Sequence, residues 1–363
     1  QADLHTTGAD GAGGSRHPAR RRGREAGRPA PATDYARVYI AGPGRNDGRY
    51  FGLYSLVEDI DWQFAADVLP PGTGVLFKPV TQDLFGDLGN DWKAYNQSYD
   101  PKGAISEEAR RRVIDFSKLV STAGDREFAV KLPDFLDLDE FARFMAVTVW
   151  LANFDSLLDM GQNFYVYLDA GTKKFQFLPW DLDHSFGQFV MRGSQTQREN
   201  LSIHHPWTGD NRFLERVFGV DEFKKLYLGK LAEFSRTIFR PERFHRQMDE
   251  LAGFLRPAVK DESADKLARF NQAVGGQAVT PESFGAFFGA AQPIKPFVTA
   301  RARSVEDQLA GRSPGETVAA FGFGGGGGGG GRGGRGGAGD VLAGGGIPAR
   351  GREQDGGESR DQL

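Results

Sequence analysis

The residues best placed to do chemistry lie between Asn153 and His184. Asp155, Asn163, Asp181, Asp183 and His184 all fall in this stretch, around two strand-like runs, Asn163–Leu168 and Lys174–Pro179, joined by a tight turn at Asp169–Gly171. In an antiparallel pair the start of one strand lies beside the end of the other. Asn163 is therefore expected next to Asp181, with the loop carrying Asp155 at the same end. An amide oxygen and two carboxylates meeting at one point suit a hard divalent cation. A third carboxylate outside the coordination sphere could accept a proton from an alcohol. Carboxylates just past an apolar strand are costly to desolvate unless a cation or hydrogen-bond donors meet them. Taken singly, Asp181 and Asp183 could simply cap a turn. Asp155 and Asp159 compete for the role of proton acceptor, and Asp155 is preferred because it directly follows a helix end. His184 reads as a packing and hydrogen-bonding residue beside Phe186, with metal ligand or base as the alternatives.

The elements that must position these residues can be traced along the chain. A hairpin of Arg37–Ile40 and Tyr50–Val57 comes first, followed by a short helix after Asp61 that stops before Pro70. Val75–Lys78 reads as a further strand. Ser106 can cap a helix running to about Ser121, in which Val113, Phe116 and Val120 recur at helical spacing. Asp137 and Glu140 have capping-box spacing. Phe141, Phe144, Met145, Thr148, Val149 and Ala152 then form a wide apolar stripe, so this helix should be buried and should end near Asn153. Beyond Gly187 a polar loop leads to amphipathic helices over roughly 211–239, 241–255, 261–274 and 294–310. Pro241 and Pro281 sit where a proline opens a first turn.

Composition bounds the rest. The chain has 363 residues, a formal net charge of −3 and no cysteine. Thiol catalysis, disulfides and thiolate metal sites are excluded, and the charge argues against non-specific nucleic-acid binding. No apolar run approaches the roughly 20 residues needed to span a bilayer, and no signal pattern opens the chain. Residues 1–34 are rich in Gly, Ala, Arg and Pro, and the tail from 319 is rich in Gly and Arg. Both are expected to be disordered extensions, because so few large apolar side chains cannot offset the entropy of ordering. One domain over 35–318 lies between them.

The order Asp155, Asn163, hairpin, Asp181 matches the order of catalytic Asp, metal-binding Asn and metal-binding Asp in protein kinases. Five blocks also resemble the CotH kinase family, named for the spore-coat protein H: GLYSLVEDID (Gly52–Asp61), VLFKP (Val75–Pro79), NFD (Asn153–Asp155), NFYVYLD from Asn163, and FLPWDLDHSFG ending at Gly187. The resemblance runs from about residue 36 to 312 and takes in KPFVTARARSVEDQL near its end. It implies an α+β, atypical protein-kinase-like fold, with a small and truncated β-rich N-lobe on a larger helical C-lobe. It further implies transfer of the γ-phosphate of ATP to Ser or Thr of a protein substrate, with Mg²⁺ or Mn²⁺. Asp155 would then be the base, Asn163 and Asp181 metal ligands, and Asp183 a support to the metal. Glu58 would lie near the nucleotide, although a solvated acid after a strand is an equal reading. Lys78 could meet phosphate, or snorkel from an edge strand.

Two departures from the kinase pattern stand out. Asn163 follows Asp155 by eight positions, against about five in a kinase catalytic loop, whereas Asp159 is only four away. Lys78 is the first lysine in the chain, and residues 1–35 offer no match to the strands expected before the hairpin. The rival expectation is therefore a binding or structural protein of the same fold, of spore-coat or surface type, without catalysis. A carboxylate-based hydrolase is the third class.

Overall fold

The computed structural model describes residues 2–6, 21–22, 24–27, 30–42, 45–69, 74–279 and 292–320. Among these the chain is a helix-rich α+β structure, with eleven helices and two small antiparallel sheets of three strands each. In the first sheet β3 (Arg45–Glu58) lies between β1 (Ala2–Thr6) and β2 (Thr33–Gly42). In the second, β5 (Phe164–Leu168) lies between β4 (Val75–Phe77) and β6 (Phe175–Pro179).

Side-chain alternation along the second sheet explains its place in the fold. Phe164, Val166, Phe175 and Phe177 point into the large helical core, whereas Tyr165, Tyr167, Leu178 and Trp180 point to a separate apolar cluster with Val57, Ile60, Phe64 and Leu76. The hairpin is thus covered on both faces and presents only its ends. Its register sets Phe164 opposite Pro179, and the Trp180 amide donates to the Asn163 carbonyl at 3.2 Å. Asn163 and Asp181 therefore leave the same end of the hairpin. At the other end the Asp169 carboxylate accepts from the Gly171 and Thr172 amides, closing the turn.

The helix Leu138–Trp150 is buried along almost its whole length, and Phe141 and Phe144 meet Phe177 of the hairpin at ring separations of 4.7 and 5.4 Å. Asp137 caps it by accepting from the Glu140 amide. Glu140 does not return the bond as a capping box would. Its carboxylate accepts from the Phe177 amide at 3.1 Å and so pins helix to hairpin. At the other end, fully buried Arg301 donates to the carbonyls of Val149 (2.9 Å), Trp150 (3.3 Å) and Leu201 (2.6 Å). A cation among the last carbonyls of a helix is stabilised by the helix dipole and satisfies groups with no partner in the helix itself. Burial pulls the Arg301 guanidinium down to about 10.

Several expected boundaries change. The helix after Ser106 spans Glu107–Thr122, with Ser106 accepting from the Ala109 amide. The long helix expected over 211–239 divides into Arg212–Phe218 and Asp221–Arg236, because Gly219 ends the first and Val220 begins the second. The next helix runs on through Pro257 to Glu262. Pro281, expected to open a helix, lies outside the described residues, as does the tail from 321 on. Within the segment expected to lack order, Ala2–Thr6 pairs with β3, from Glu58 to Tyr54. Arg22 is also buried there, with its guanidinium 5.0 Å from the ring centre of Phe244. Strand pairing is carried by the backbone, so a segment poor in large side chains can still add to a sheet edge.

Candidate active site

Asp155 sits in the loop between the buried helix and β5, and only 8% of its surface is exposed. Two amides hold its carboxylate: Gln162 Nε2 donates to Oδ1 at 2.7 Å and Asn163 Nδ2 donates to Oδ2 at 2.8 Å. His184 Nε2 lies 4.0 Å from Oδ2. The ligand atoms of Asp155, Asp183 and His184 lie within 4.8 Å of one another. Burial pushes the Asp155 carboxyl up from its ordinary value. The Gln162 hydrogen bond and His184 oppose that rise, and the like charges of Asp183 and Asp181 add to it.

The backbone around this site is held in an uncommon conformation. Ala152, Asn163, Asp181 and Phe186 all have positive φ, at 47°, 58°, 42° and 62°. Asn and Asp tolerate the left-handed region, but Ala and Phe pay about 1–2 kcal/mol for it. Tertiary bonds enforce it: the Phe186 amide donates to the Leu151 carbonyl at 2.8 Å, and its ring packs against Phe244 and Phe297. The helix end, the start of β5 and the turn after β6 are thereby fixed to one another around the Asp155 carboxylate.

Asp159, the competing acceptor, is equally buried at 8% but has other partners. Arg192 Nε lies 2.6 Å from its Oδ2, and the Thr208 hydroxyl donates to Oδ1. A cation and a hydroxyl thus already meet this carboxylate, an arrangement that suits an anchor for the loop.

The structure therefore brings Asp155, Asn163, Asp183 and His184 together, and Asp181 acts on Asp155 electrostatically from the same end of the hairpin. Glu58 and Lys78 have other engagements. The Glu58 carboxylate accepts from the Ala32 amide at 2.7 Å, closing the open end of β2 on β3. The Lys78 ammonium lies 5.5 Å from the ring centres of both Tyr165 and Trp180, a cation–π arrangement. Lys78 itself falls one residue past β4. His184 packs edge-on against Phe189, at 5.1 Å. Phe186 and Phe189 both belong to the helical core. Gln162 had not been singled out. Its position immediately before Asn163, at the mouth of an apolar strand, is the signal that could have found it.

Oxygen donors from Asp155, Asp183 and the Asn163 amide, with an imidazole nitrogen beside them, form a donor set that fits a divalent cation. Because Asn163 Nδ2 donates to Asp155, its Oδ1 stays available as an acceptor.

A buried, amide-held carboxylate at the end of a hairpin, with two further acids beside it, defines a polar centre built into a helix-rich α+β domain. A family model described as CotH kinase protein matches residues 23–305, and the chain belongs to that family. The match begins inside residues 1–34, the segment expected to be a disordered extension. Inner spore coat protein H of Bacillus subtilis (strain 168) is 24% identical over 239 residues, covering 65% of this chain and 62% of that protein. The chain thus spans less than two thirds of the length of this curated relative.

Proposed function

We propose that this chain catalyses phosphoryl transfer from ATP to a Ser or Thr hydroxyl of a protein, dependent on Mg²⁺ or Mn²⁺, on an atypical protein-kinase-like fold. The observation that carries the reading is the Asp155 carboxylate, buried and held at both oxygens by Gln162 and Asn163. Holding both oxygens fixes the plane of the carboxylate, and burial raises its proton affinity, so it suits the removal of a hydroxyl proton as the hydroxyl oxygen attacks the γ-phosphorus and ADP leaves. Asn163 serves two functions, orienting Asp155 through Nδ2 and offering Oδ1 to the cation. Asp181 and Asp183 supply the remaining charge. When bound, the cation neutralises the phosphate oxygens.

Labelled ATP, Mg²⁺ or Mn²⁺ and a Ser-rich peptide test this reading. Transfer by the wild type that is lost in both Asp155→Ala and Asp181→Asn is expected. A wild type that neither transfers label nor gains thermal stability with MgATP would overturn it.

A second reading, a binding or structural protein of spore-coat or surface type, is favoured by two observations. The relative is by name a coat protein, and Lys78, the lysine expected to meet phosphate, lies against Tyr165 and Trp180. A silent transfer assay together with retained binding to a coat-protein partner would support that alternative.

A further inference from the structure

We infer that Asp155, Asp183 and His184 form a three-ligand site that takes Zn²⁺ in preference to Mg²⁺. Binding at this site does not depend on the phosphoryl-transfer reading; only its consequence for activity does. Mg²⁺ demands near-ideal octahedral oxygen coordination, whereas Zn²⁺ accepts a mixed nitrogen and oxygen set. With three protein ligands and a fourth position left to water, such a set matches the usual plan of an open zinc site. Divalent first-row ions also follow an order of affinity in which Zn²⁺ outranks Mn²⁺ for a given site.

The geometry requires little rearrangement. Tetrahedral zinc with bonds near 2.1 Å separates its ligands by about 3.4 Å. His184 Nε2 and Asp155 Oδ2 are 4.0 Å apart, and all three ligand atoms lie within 4.8 Å of one another. Small side-chain rotations close that gap. The outer contacts that orient metal ligands are already in place: Gln162 and Asn163 hold Asp155, and Phe189 braces the His184 ring. A zinc ion there would engage the Asp155 carboxylate, so on the reading above it would also suppress phosphoryl transfer.

Isothermal titration of the chelator-treated full chain with Zn²⁺ tests the site without any nucleotide. One tight site is expected, weakened at least about tenfold by His184→Ala and by Asp183→Asn, and unchanged in the double variant His204→Ala/His205→Ala. Equal affinity in wild type and His184→Ala would overturn the inference, as would loss of the site in the double variant. If His184→Ala fails to fold, Co²⁺ loaded into the double variant gives a second reading. A paramagnetically shifted imidazole N–H resonance supports the site, and its absence refutes it. Failure of zinc binding leaves the transfer assay untouched, so the two proposals can fall separately.

Discussion

Asp155 and Asp159 occupy two ends of one loop, are equally buried, and have opposite surroundings. Asp159 faces a guanidinium and a hydroxyl, Arg192 and Thr208. Asp155 faces two neutral amides and the charges of Asp181 and Asp183. A carboxylate with a matched cation has no residual demand and serves architecture. One held by amides, with an imidazole 4.0 Å away and other acids beside it, carries a penalty for its charge. On the proposed function, the loop thus sets an anchoring carboxylate and a reactive one four positions apart.

The largest expected effect tests the reactive end. Asp155→Asn should lower transfer by about 10²–10⁴-fold while the chain still melts cooperatively. If activity persists in Asp155→Asn but disappears in Asp159→Asn, the assignments are reversed. The anchoring end should show the opposite pattern. Arg192→Met leaves Asp159 buried without its cation and should cost about 3–5 kcal/mol of stability, read from chemical denaturation. Adding Asp159→Leu should return much of that loss.

Smaller effects sharpen the contrast. Gln162→Ala removes a bond that lowers the Asp155 proton affinity. The acidic limb of the pH–rate profile should therefore move to higher pH, with a loss of about tenfold at neutral pH. Least in size is an effect on melting in chelator. The folded Asp155 carboxyl lies above its unfolded value, so its contribution to stability is full at acid pH and is lost as pH rises through the folded value. The melting temperature of wild type relative to Asp155→Asn should therefore fall as the pH is raised from about 3 to about 7. A difference that stays constant with pH would contradict the raised carboxyl.

Much of the scaffold was legible because it rests on local rules. The apolar stripe from Phe141 to Val149, the caps at Ser106 and Asp137, and the alternating strands around the Asp169 turn all have periodicity or capping chemistry visible in the chain. That Asn163 and Asp181 leave the same end of the hairpin, where the Asp155 loop also lies, followed from antiparallel pairing. Glu140 was less legible, since its carboxylate had a local partner by spacing and took a strand amide instead. The pairing of Asp159 with Arg192 was invisible for a similar reason: which donors reach a buried carboxylate is decided by tertiary packing. The strand at Ala2–Thr6 was missed because composition reports on side chains, whereas edge pairing draws on the backbone.

Arg301 bonds the end of the Leu138–Trp150 helix from 151 residues downstream. During synthesis, a nascent chain that already contains Asp155, Asn163, Asp181, Asp183 and His184 still lacks the guanidinium that clamps the base of their loop. The helix end beneath the site is therefore completed late. A ribosome-bound intermediate would carry every acid group and yet leave the carbonyls of Val149 and Trp150 unlatched until the helix Ile294–Leu309 has emerged and docked.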